Sequence, residues 1–494
     1  MSTKNEDSIV AIIKTSSSYP ISIDPPEIYP EFQTRILHDS FDKNNICFKG
    51  IRLAFKLLDY DKENIDSPTW NPLSEIIKPG DTVLLKPNFV LHKSMNKATS
   101  MDEMVTNPSI IFAVLDYVIL ALKENGRIII GDAPIQEADF DEIIFKLKLH
   151  ERLKQYNSKT QISIELIDFR KEKSINIRFR EIQRFTLKGD PRNYSTIDLG
   201  SLSEFHSISD KSPLFRVTNY DKAKMIPFHN TDQHAYIIAN SAIEADVIIS
   251  IPKLKTHKKA GITCALKNLV GINGSKDCLP HHLKGSIEEG GDEYYKKSFR
   301  KRLHSNIEER RAKSKSRFGC FFLYLFKILI YISERIFPYK SPIKHGNWYG
   351  NKTIPKTIVD LNYILNFTTK EGLLIDKPSK RKFLTITDAI IAGQGEGPLH
   401  PTRKELGMIL VSQNFLANDI VATYLAGFNP TKIPTINLAL KSKINIQNLQ
   451  SFDDIKIISN NAELTDINAL KEIFSKQAFK PSIGWKNYIE LFSD

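Results

Sequence analysis

Short hydrophobic runs alternate along the chain with longer segments in which apolar residues recur at helical spacing. The clearest case begins with a run at residues 81–86, and a second run follows at residues 127–131. Between them, apolar positions from 110 to 122 recur at helical spacing, and Asn107-Pro108 has the residue types of a helix start. A strand, a crossover helix and a strand form a βαβ unit with parallel strands. The pattern therefore predicts an α/β fold with a mostly parallel sheet.

Further elements of the same two kinds continue toward the end of the chain. Strands are predicted at residues 162–167, 245–251 and 383–387, and helices at residues 260–270, 418–426 and 461–475. We expect two α/β lobes with a crevice between them, formed by residues 1–290 and 340–494. The pattern leaves open whether the two lobes share one continuous sheet.

Residues 291–339 break this alternation and are predicted to form a basic and aromatic helical insertion. From residue 296 to 317 there are ten lysines and arginines against two glutamates, so this stretch carries +8 of the net charge of +12. In the following run, apolar residues share one stripe of a helix: Phe318, Phe322, Leu325, Leu329, Ile332 and Ile336. Charged residues make the run too short to span a membrane. Two interpretations stay open for residues 296–337, an anchor on an anionic membrane surface or a helix packed on the protein.

The overall composition is that of a globular protein. Of the 494 residues, 41% are hydrophobic and 26% are charged, which excludes a disordered or collagen-like chain. The four cysteines are far apart, so we expect a reducing compartment and no iron–sulfur cluster held by this chain alone. The chain starts with polar and acidic residues, so a cytoplasmic protein is expected, peripheral at the inner membrane face if the insertion binds lipid. The sequence indicates neither another cofactor nor the oligomeric state.

The most informative polar residues directly follow one of the predicted strands. Lys253, Lys255 and His257 alternate, so in an extended segment their side chains project to the same side. Lys267 and Asn268 follow in the next segment, and cationic groups held together repel one another unless an anion lies between them. We therefore predict a pocket for a phosphate or carboxylate. The alternative is an exposed basic edge.

Within this pocket the residues are predicted to divide into two roles. Lys253, Lys267 and Asn268 are candidates for binding the substrate. His257 is the candidate acid/base, and Lys255 is a second candidate base or nucleophile, because a desolvated lysine beside other cations loses its proton readily.

Three further polar residues lie where predicted strands end. Lys86 and Asn88 follow the strand at residues 81–86, and Asp132 ends the strand at residues 127–131. Because the carboxyl ends of parallel strands face the ligand crevice, we predict that these side chains bind substrate. A turn or a helix cap is the structural alternative.

A glycine-rich loop, Gly393-Gln-Gly-Glu-Gly-Pro398, follows the predicted strand at residues 383–387. Gly393 and Gly395 would allow a ligand to approach the backbone closely. Asp388 and Glu396 are the candidate carboxylates of an acid/base pair with His257. The loop matches neither a dinucleotide fingerprint nor a P-loop, because no Lys-Ser/Thr follows.

Other histidines and one cysteine have the side chains of metal ligands without a recognised spacing. His229 and His234 form one pair and His281 and His282 another, and both pairs are interpreted as parts of surface loops. Cys264 is interpreted as a core residue. Whether the protein binds a metal stays open.

Three segments together resemble one protein family. They contain Lys-Pro-Asn88, the motif Ile-Pro-Lys-Leu-Lys-Thr-His257 with Ala-Leu-Lys-Asn-Leu-Val-Gly271, and Gly-Gln-Gly-Glu-Gly-Pro398 with Asn418-Asp419. This combination is similar to the DUF362 family, a widespread prokaryotic family without an assigned function. The likeness covers about residues 8–290 and 340–435, and it implies an architecture but no reaction. Many relatives carry an iron–sulfur module, which the scattered cysteines of this chain do not provide.

These observations favour an enzyme that acts on an anionic small molecule or a lipid-linked substrate, for example one of a glycan pathway. A non-enzymatic adaptor at the membrane surface is the first alternative. A second is an enzyme similar to the nickel-pincer lactate racemases, in which a histidine and a lysine after a similar strand contact the cofactor. Nucleic acid is not an expected partner, because most of the excess charge lies beside an apolar helix.

Overall fold

In the computed structural model, one ten-stranded sheet forms the centre of the protein. The structure describes residues 8–34, 37–94, 100–177, 180–217, 222–313, 317–336 and 343–491. The strands are β1 (Ile9–Lys14), β2 (Thr82–Pro87), β3 (Arg127–Asp132), β4 (Ser163–Asp168), β5 (Glu172–Ile177), β6 (Arg180–Thr186), β7 (Tyr194–Asp198), β8 (Phe215–Arg216), β9 (Ala235–Ala239), β10 (Val247–Ile251), β11 (Lys253–His257), β12 (Gly261–Thr263), β13 (His282–Leu283), β14 (Lys382–Glu396), β15 (His400–Ser412) and β16 (Lys456–Ser459).

Strands from both predicted lobes contribute to this sheet. Its main order is β16-β1-β15-β14-β10-β2-β3-β4, and β11 and β12 extend it beside β14. Strand β10 pairs in parallel with β2 on one side and with β14 on the other. The predicted boundaries at residues 290 and 340 therefore do not separate two sheets. The α/β fold with a mostly parallel sheet is confirmed.

Helices cover both faces of the sheet. They are α1 (Ile46–Leu57), α2 (Pro108–Leu122), α3 (Phe140–Lys146), α4 (Leu149–Lys159), α5 (Asn240–Ile243), α6 (Ala265–Asn268), α7 (Phe299–Lys313), α8 (Arg317–Ile336), α9 (Thr353–Asn366), α10 (Phe415–Leu425), α11 (Pro434–Lys441) and α12 (Ile467–Ser475). Helices α1 to α4 contribute to one core, and α5, α6 and α9 to α12 contribute to the other. Alternate residues of β10 enter the two cores, with Val247 and Ile249 in the first and Ile248 in the second. This alternation explains the continuous hydrophobic run in the sequence.

Local sequence accounts for most element boundaries. The Asn107 side chain accepts a hydrogen bond from the backbone N–H of Ser109 at the start of α2 (2.9 Å), as its residue type predicts. The predicted helix at residues 260–270 is wrong in its first part. Residues 261–263 form strand β12, and α6 begins only at Ala265, where the Asp419 carboxylate accepts the N–H groups of Ala265 (2.7 Å) and Leu266 (3.1 Å).

The predicted helical insertion consists of α7 and α8, which pack against each other. The apolar stripe of α8 is turned to solvent over most of its described length, with exposed fractions of 50% for Phe322, 60% for Leu329 and 64% for Ile336. The basic stretch is partly buried, since Lys301 and Arg311 are both buried. Lys315 and Phe337 lie outside the described residues, as does the side chain of Phe318. Within the described parts of the chain, every helix is too short or too polar to cross a membrane.

Candidate anion-binding site

Strand β11 brings the predicted lysines and histidine to the carboxyl end of the central sheet. It follows β10 after Pro252, pairs with β14, and turns back through β12. The prediction that Lys253, Lys255 and His257 lie on an extended segment is confirmed, and all three side chains are buried.

Lys253 has a carboxylate partner. Its ammonium group lies 2.7 Å from Oδ2 of Asp388, with both side chains fully buried, and it also contacts the hydroxyl of Tyr19. Asp388 further accepts the Tyr19 hydroxyl (2.5 Å) and the backbone N–H of Asn107 (2.9 Å). Because the Asp388 carboxylate is satisfied by these donors, this pair connects β11, β14 and the start of α2.

Lys86 also has a carboxylate partner. Its Nζ lies 2.6 Å from Oδ1 of Asp132, and Oδ2 of Asp132 accepts the N–H of Phe89 (2.7 Å). Gly271 packs directly on this pair, since a Cβ atom there would lie 1.9 Å from Oδ1 of Asp132. The carboxyl ends of β2 and β3 are therefore joined by a buried ion pair that packs against Gly271.

Lys255, two residues after Lys253, has no such partner. Its ammonium group donates to Oδ1 of Asn88 (2.6 Å) and to the backbone carbonyl of Met104. None of the carboxylates in the described parts of the chain forms an ion pair with it. Burial, and next the charges of Lys267 and Lys253, hold the pKa of Lys255 well below that of a free lysine.

Two more lysines face the same region. Lys267 is half-buried, and its ammonium group forms no hydrogen bond or ion pair within the described residues. Burial lowers its pKa to about 8, although Asp132 acts in the opposite direction. Lys276 is buried, and burial lowers its pKa to about 7. Sequence reasoning did not select Lys276, although the Gly271 motif continues toward it.

His257 is held in one tautomer by the backbone. Its Nδ1 atom accepts hydrogen bonds from the N–H groups of Lys259 and Ala260, both 3.1 Å long. A neutral imidazole that accepts at Nδ1 carries its proton on Nε2. Burial, and next the charge of Lys267, keep the pKa of His257 well below 6.5. The side chain is therefore a neutral Nε2–H donor.

Two amide side chains, those of Asn88 and Asn268, hold this group of lysines in place through hydrogen bonds. Asn268 donates to the backbone carbonyl of Lys86 (2.7 Å) and to the hydroxyl of Ser250 (2.9 Å). Its Oδ1 accepts from Nδ2 of Asn88 (3.3 Å), whose own Oδ1 accepts from Lys255. These contacts fix the orientation of Asn88 and with it the position of the Lys255 ammonium group.

The glycine-rich segment serves close packing between strands. A Cβ atom at Gly393 would lie 2.9 Å from Cβ of Lys255, so this glycine lets β14 approach β11. Gly395 has a φ of 78°, a conformation that favours glycine. Glu396 is half-exposed, pairs with Lys258 (3.2 Å) and accepts the N–H of Ile483 (2.7 Å). The structure thus directs Glu396 toward Lys258.

The histidine pairs are not the surface loops that the sequence predicted. His229, His234 and His282 are buried, because their loops fold back on β9 and α9 and do not extend into solvent. Burial lowers the pKa of His229 to about 3. Cys264 is buried beside Thr387 and Asn418, which agrees with its interpretation as a core residue.

The site therefore combines two kinds of cation. Lys86 and Lys253 are neutralised by aspartates, whereas Lys255, Lys267 and Lys276 have no carboxylate of their own at hydrogen-bonding distance within the described residues. With the His257 donor among them, these groups form a candidate anion-binding site at the carboxyl edge of an α/β sheet.

Comparison with known proteins supports the resemblance to one family. The family model described as "Domain of unknown function (DUF362)" matches residues 188–424, which include β11, α6, β14 and β15. This match confirms the resemblance for the motifs within these residues. A similar curated protein is the thylakoid-associated protein sll1697 of Synechocystis, 21% identical over 368 residues that cover 74% of this chain and 68% of the relative.

Proposed function

We propose that the protein is an enzyme that binds an anionic small-molecule or lipid-linked substrate at Lys255, Lys267 and Lys276. The observation that carries this proposal is the environment of Lys255, which is buried among other cations without a carboxylate partner in the described residues. A buried charge without a partner of opposite charge costs several kcal/mol, and the group avoids this cost only by losing its ionisation. A buried lysine in such surroundings is therefore expected where a bound ligand supplies the negative charge.

The chemistry of the side chains suggests how they divide the work. Lys267 and Lys276, whose pKa values are about 8 and about 7, become fully cationic when a phosphate or carboxylate lies between them. Lys255, with its pKa far lower than usual, is the candidate base or nucleophile. His257 donates from Nε2 to an oxygen on which negative charge develops, because a neutral imidazole in this tautomer cannot accept a proton there.

Binding is tested by thermal unfolding of the full chain with increasing inorganic phosphate, sulfate or malonate. We expect the unfolding temperature of the wild type to rise with anion concentration by mass action. Lys255→Met and Lys267→Met should reduce this rise, and Lys443→Met, a change of an exposed lysine far from the site in sequence, should keep it. Equal shifts in all four proteins would place anion binding elsewhere.

Catalysis is tested by incubating the wild type and Lys255→Met with a cellular metabolite extract and following all masses with time. An enzyme is expected to deplete an anionic metabolite in a Lys255-dependent manner. A metabolite that is retained by the wild type but never converted would instead identify a binding protein.

We further propose that α8 holds the protein against an anionic membrane surface. Its apolar stripe is exposed, and exposed basic residues lie nearby, among them Lys296, Lys297 and Arg302. A basic and apolar helix of this kind lies in the interface between water and lipid. The relative in Synechocystis bears the name thylakoid-associated, which agrees with a membrane location.

Vesicle flotation tests the membrane surface. The full chain should float with phosphatidylglycerol-containing vesicles, and the double variant Phe326→Asp/Leu329→Asp should not. Ile175→Asp/Phe185→Asp, which changes two exposed apolar residues of the β5–β6 hairpin, is the matched control. Failure of the wild type to float, or concentration-dependent self-association through α8, would contradict a lipid surface and favour a protein partner.

A further inference from the structure

A second cluster of polar side chains lies beside the anion site and is built from His282, Glu293 and His345. His282 lies in β13, Glu293 in the loop before α7, and His345 in the loop between α8 and α9. One potential ligand atom from each of the three lies within 4.8 Å of those from the other two. His345 Nδ1 is 3.8 Å from Oε1 of Glu293.

His282 gives an independent indication of a ligand. Only 4% of this residue is exposed, and its Nδ1 atom has no hydrogen-bond partner in the described structure. Buried polar atoms are almost always satisfied by a protein group, a water or an ion. A ring nitrogen left without a protein partner beside a carboxylate and a second imidazole therefore points to a bound cation.

The carboxylate of Glu293 is oriented for this role. Its Oε2 atom accepts the N–H of Gly285 (3.1 Å) and the hydroxyl of Ser305 (3.2 Å). These bonds leave Oε1 on the side of His345. Outer hydrogen bonds that fix a ligating carboxylate in this way are typical of protein metal sites.

The ring of His345 is oriented from its other side. Its Nε2 lies 3.2 Å from Oε2 of Glu308 in helix α7, and Glu308 is also 3.7 Å from Nδ1 of His304. A metal-bound histidine commonly donates its second ring N–H to a carboxylate. His304, Glu308 and His345 form a second set of potential ligands, which shares His345 with the first set.

We propose that His282, Glu293 and His345 bind one divalent transition-metal ion. Two imidazoles and one carboxylate are a ligand set for zinc and for non-haem iron, and they leave coordination positions for water or a substrate oxygen. The ion would link the loop before α7, which contains Glu293, to strand β13, which contains His282. It also lies next to the lysine site, because Lys259 donates to the backbone carbonyl of His345 and His281 precedes His282.

Zinc binding to untagged full-length protein, first treated with a chelator, tests the proposed site. We expect one zinc ion per chain after dialysis, measured by elemental mass spectrometry, and a higher unfolding temperature with zinc. Glu293→Gln should weaken zinc binding at least about tenfold, and Ser305→Ala should weaken it by about the lower end of the 10- to 100-fold range found for outer-shell changes. His150→Gln, an exposed histidine of α4, is the control and should bind zinc like the wild type.

Unfolding with urea in the presence of chelator shows whether each variant is folded before zinc is added. Cobalt substituted for zinc supplies an independent readout, because its visible spectrum should change in Glu293→Gln and in His282→Asn. Absence of stoichiometric zinc in the wild type would overturn the proposed site. So would full zinc binding by Glu293→Gln and His282→Asn, or loss of zinc only in His304→Gln, which would assign the ion to the second set.

Discussion

Lys253 and Lys255 lie two residues apart on the same strand, and both are buried, but they have opposite surroundings. Lys253 contacts the Asp388 carboxylate at 2.7 Å, whereas Lys255 reaches only an amide oxygen and a backbone carbonyl. The same contrast separates Lys86, paired with Asp132, from Lys267, which has no partner in the described residues.

We propose that this difference separates lysines that hold the fold together from lysines that bind a ligand. A buried pair is neutral overall, and removing one member leaves the other charge uncompensated. Removing an unpaired buried lysine leaves no such charge behind. Replacing a paired lysine by methionine should therefore lower mainly the stability. Replacing an unpaired lysine by methionine should lower mainly the ligand binding.

The largest effect is expected from Lys253→Met. This substitution leaves the buried Asp388 carboxylate without its cationic partner, and breaking a buried pair in this way typically costs about 3–5 kcal/mol. Lys255→Met should change the free energy of unfolding by less than about 1 kcal/mol or raise it, since charges at functional sites are commonly held at a cost in stability. Urea unfolding followed by circular dichroism measures both. Equal destabilisation by the two substitutions would remove the distinction.

A smaller loss of stability is expected from Gly271→Ala, which separates Lys86 from its partner Asp132. The new methyl group would lie 1.9 Å from Oδ1 of Asp132 and 2.6 Å from Nζ of Lys86, so the pair must separate. Overpacking of this kind costs about 1–3 kcal/mol. Gly200→Ala, where no atom lies within 4 Å but a φ of 49° disfavours a side chain, shows the cost of backbone strain alone. Wild-type stability in Gly271→Ala would mean that the pair adapts freely.

The smallest expected effect is the dependence of anion affinity on pH. Because an anion favours the charged lysines, its affinity should be greatest below the pKa values of Lys276 and Lys267, about 7 and about 8, and fall as the pH rises through them. The fall should approach about tenfold per pH unit for each linked proton above the pKa. Sulfate is the suitable probe, since it does not titrate in this range. In Lys267→Met the fall should be shallower, and an unchanged pH profile would exclude this lysine from the site.

Much of the fold could be predicted from the sequence because hydrophobic runs and helix caps are local signals. The runs that became β2, β3, β4 and β10 needed only their neighbours in the chain, and the same holds for the cap of α2 at Asn107. The start of α6 could not be predicted in this way. Its cap is Asp419, about 150 residues further along the chain.

Most members of the candidate site were predictable, but Lys276 and the partners of the lysines were not. The alternation of Lys253, Lys255 and His257 placed them together, yet nothing near Lys253 in the sequence indicates that Tyr19 and Asp388 satisfy it and leave Lys255 unpaired. The cluster around His282 was missed for the same reason. Its members come from three segments that meet only through the fold.

The central claim, that the unpaired lysines bind an anion by taking up protons, is tested most directly by isothermal titration with sulfate at pH 8. Titrations in buffers of different ionisation enthalpy give the number of protons exchanged. We expect an uptake of about one proton per sulfate in the wild type, because the lysines of lowered pKa become charged beside the anion. In Lys267→Met the uptake should be smaller by up to about half a proton, because a lysine with a pKa of about 8 is half-protonated at pH 8 and Lys276 still takes up protons. Sulfate binding without proton uptake, or no sulfate binding at any pH below 8, would contradict the account.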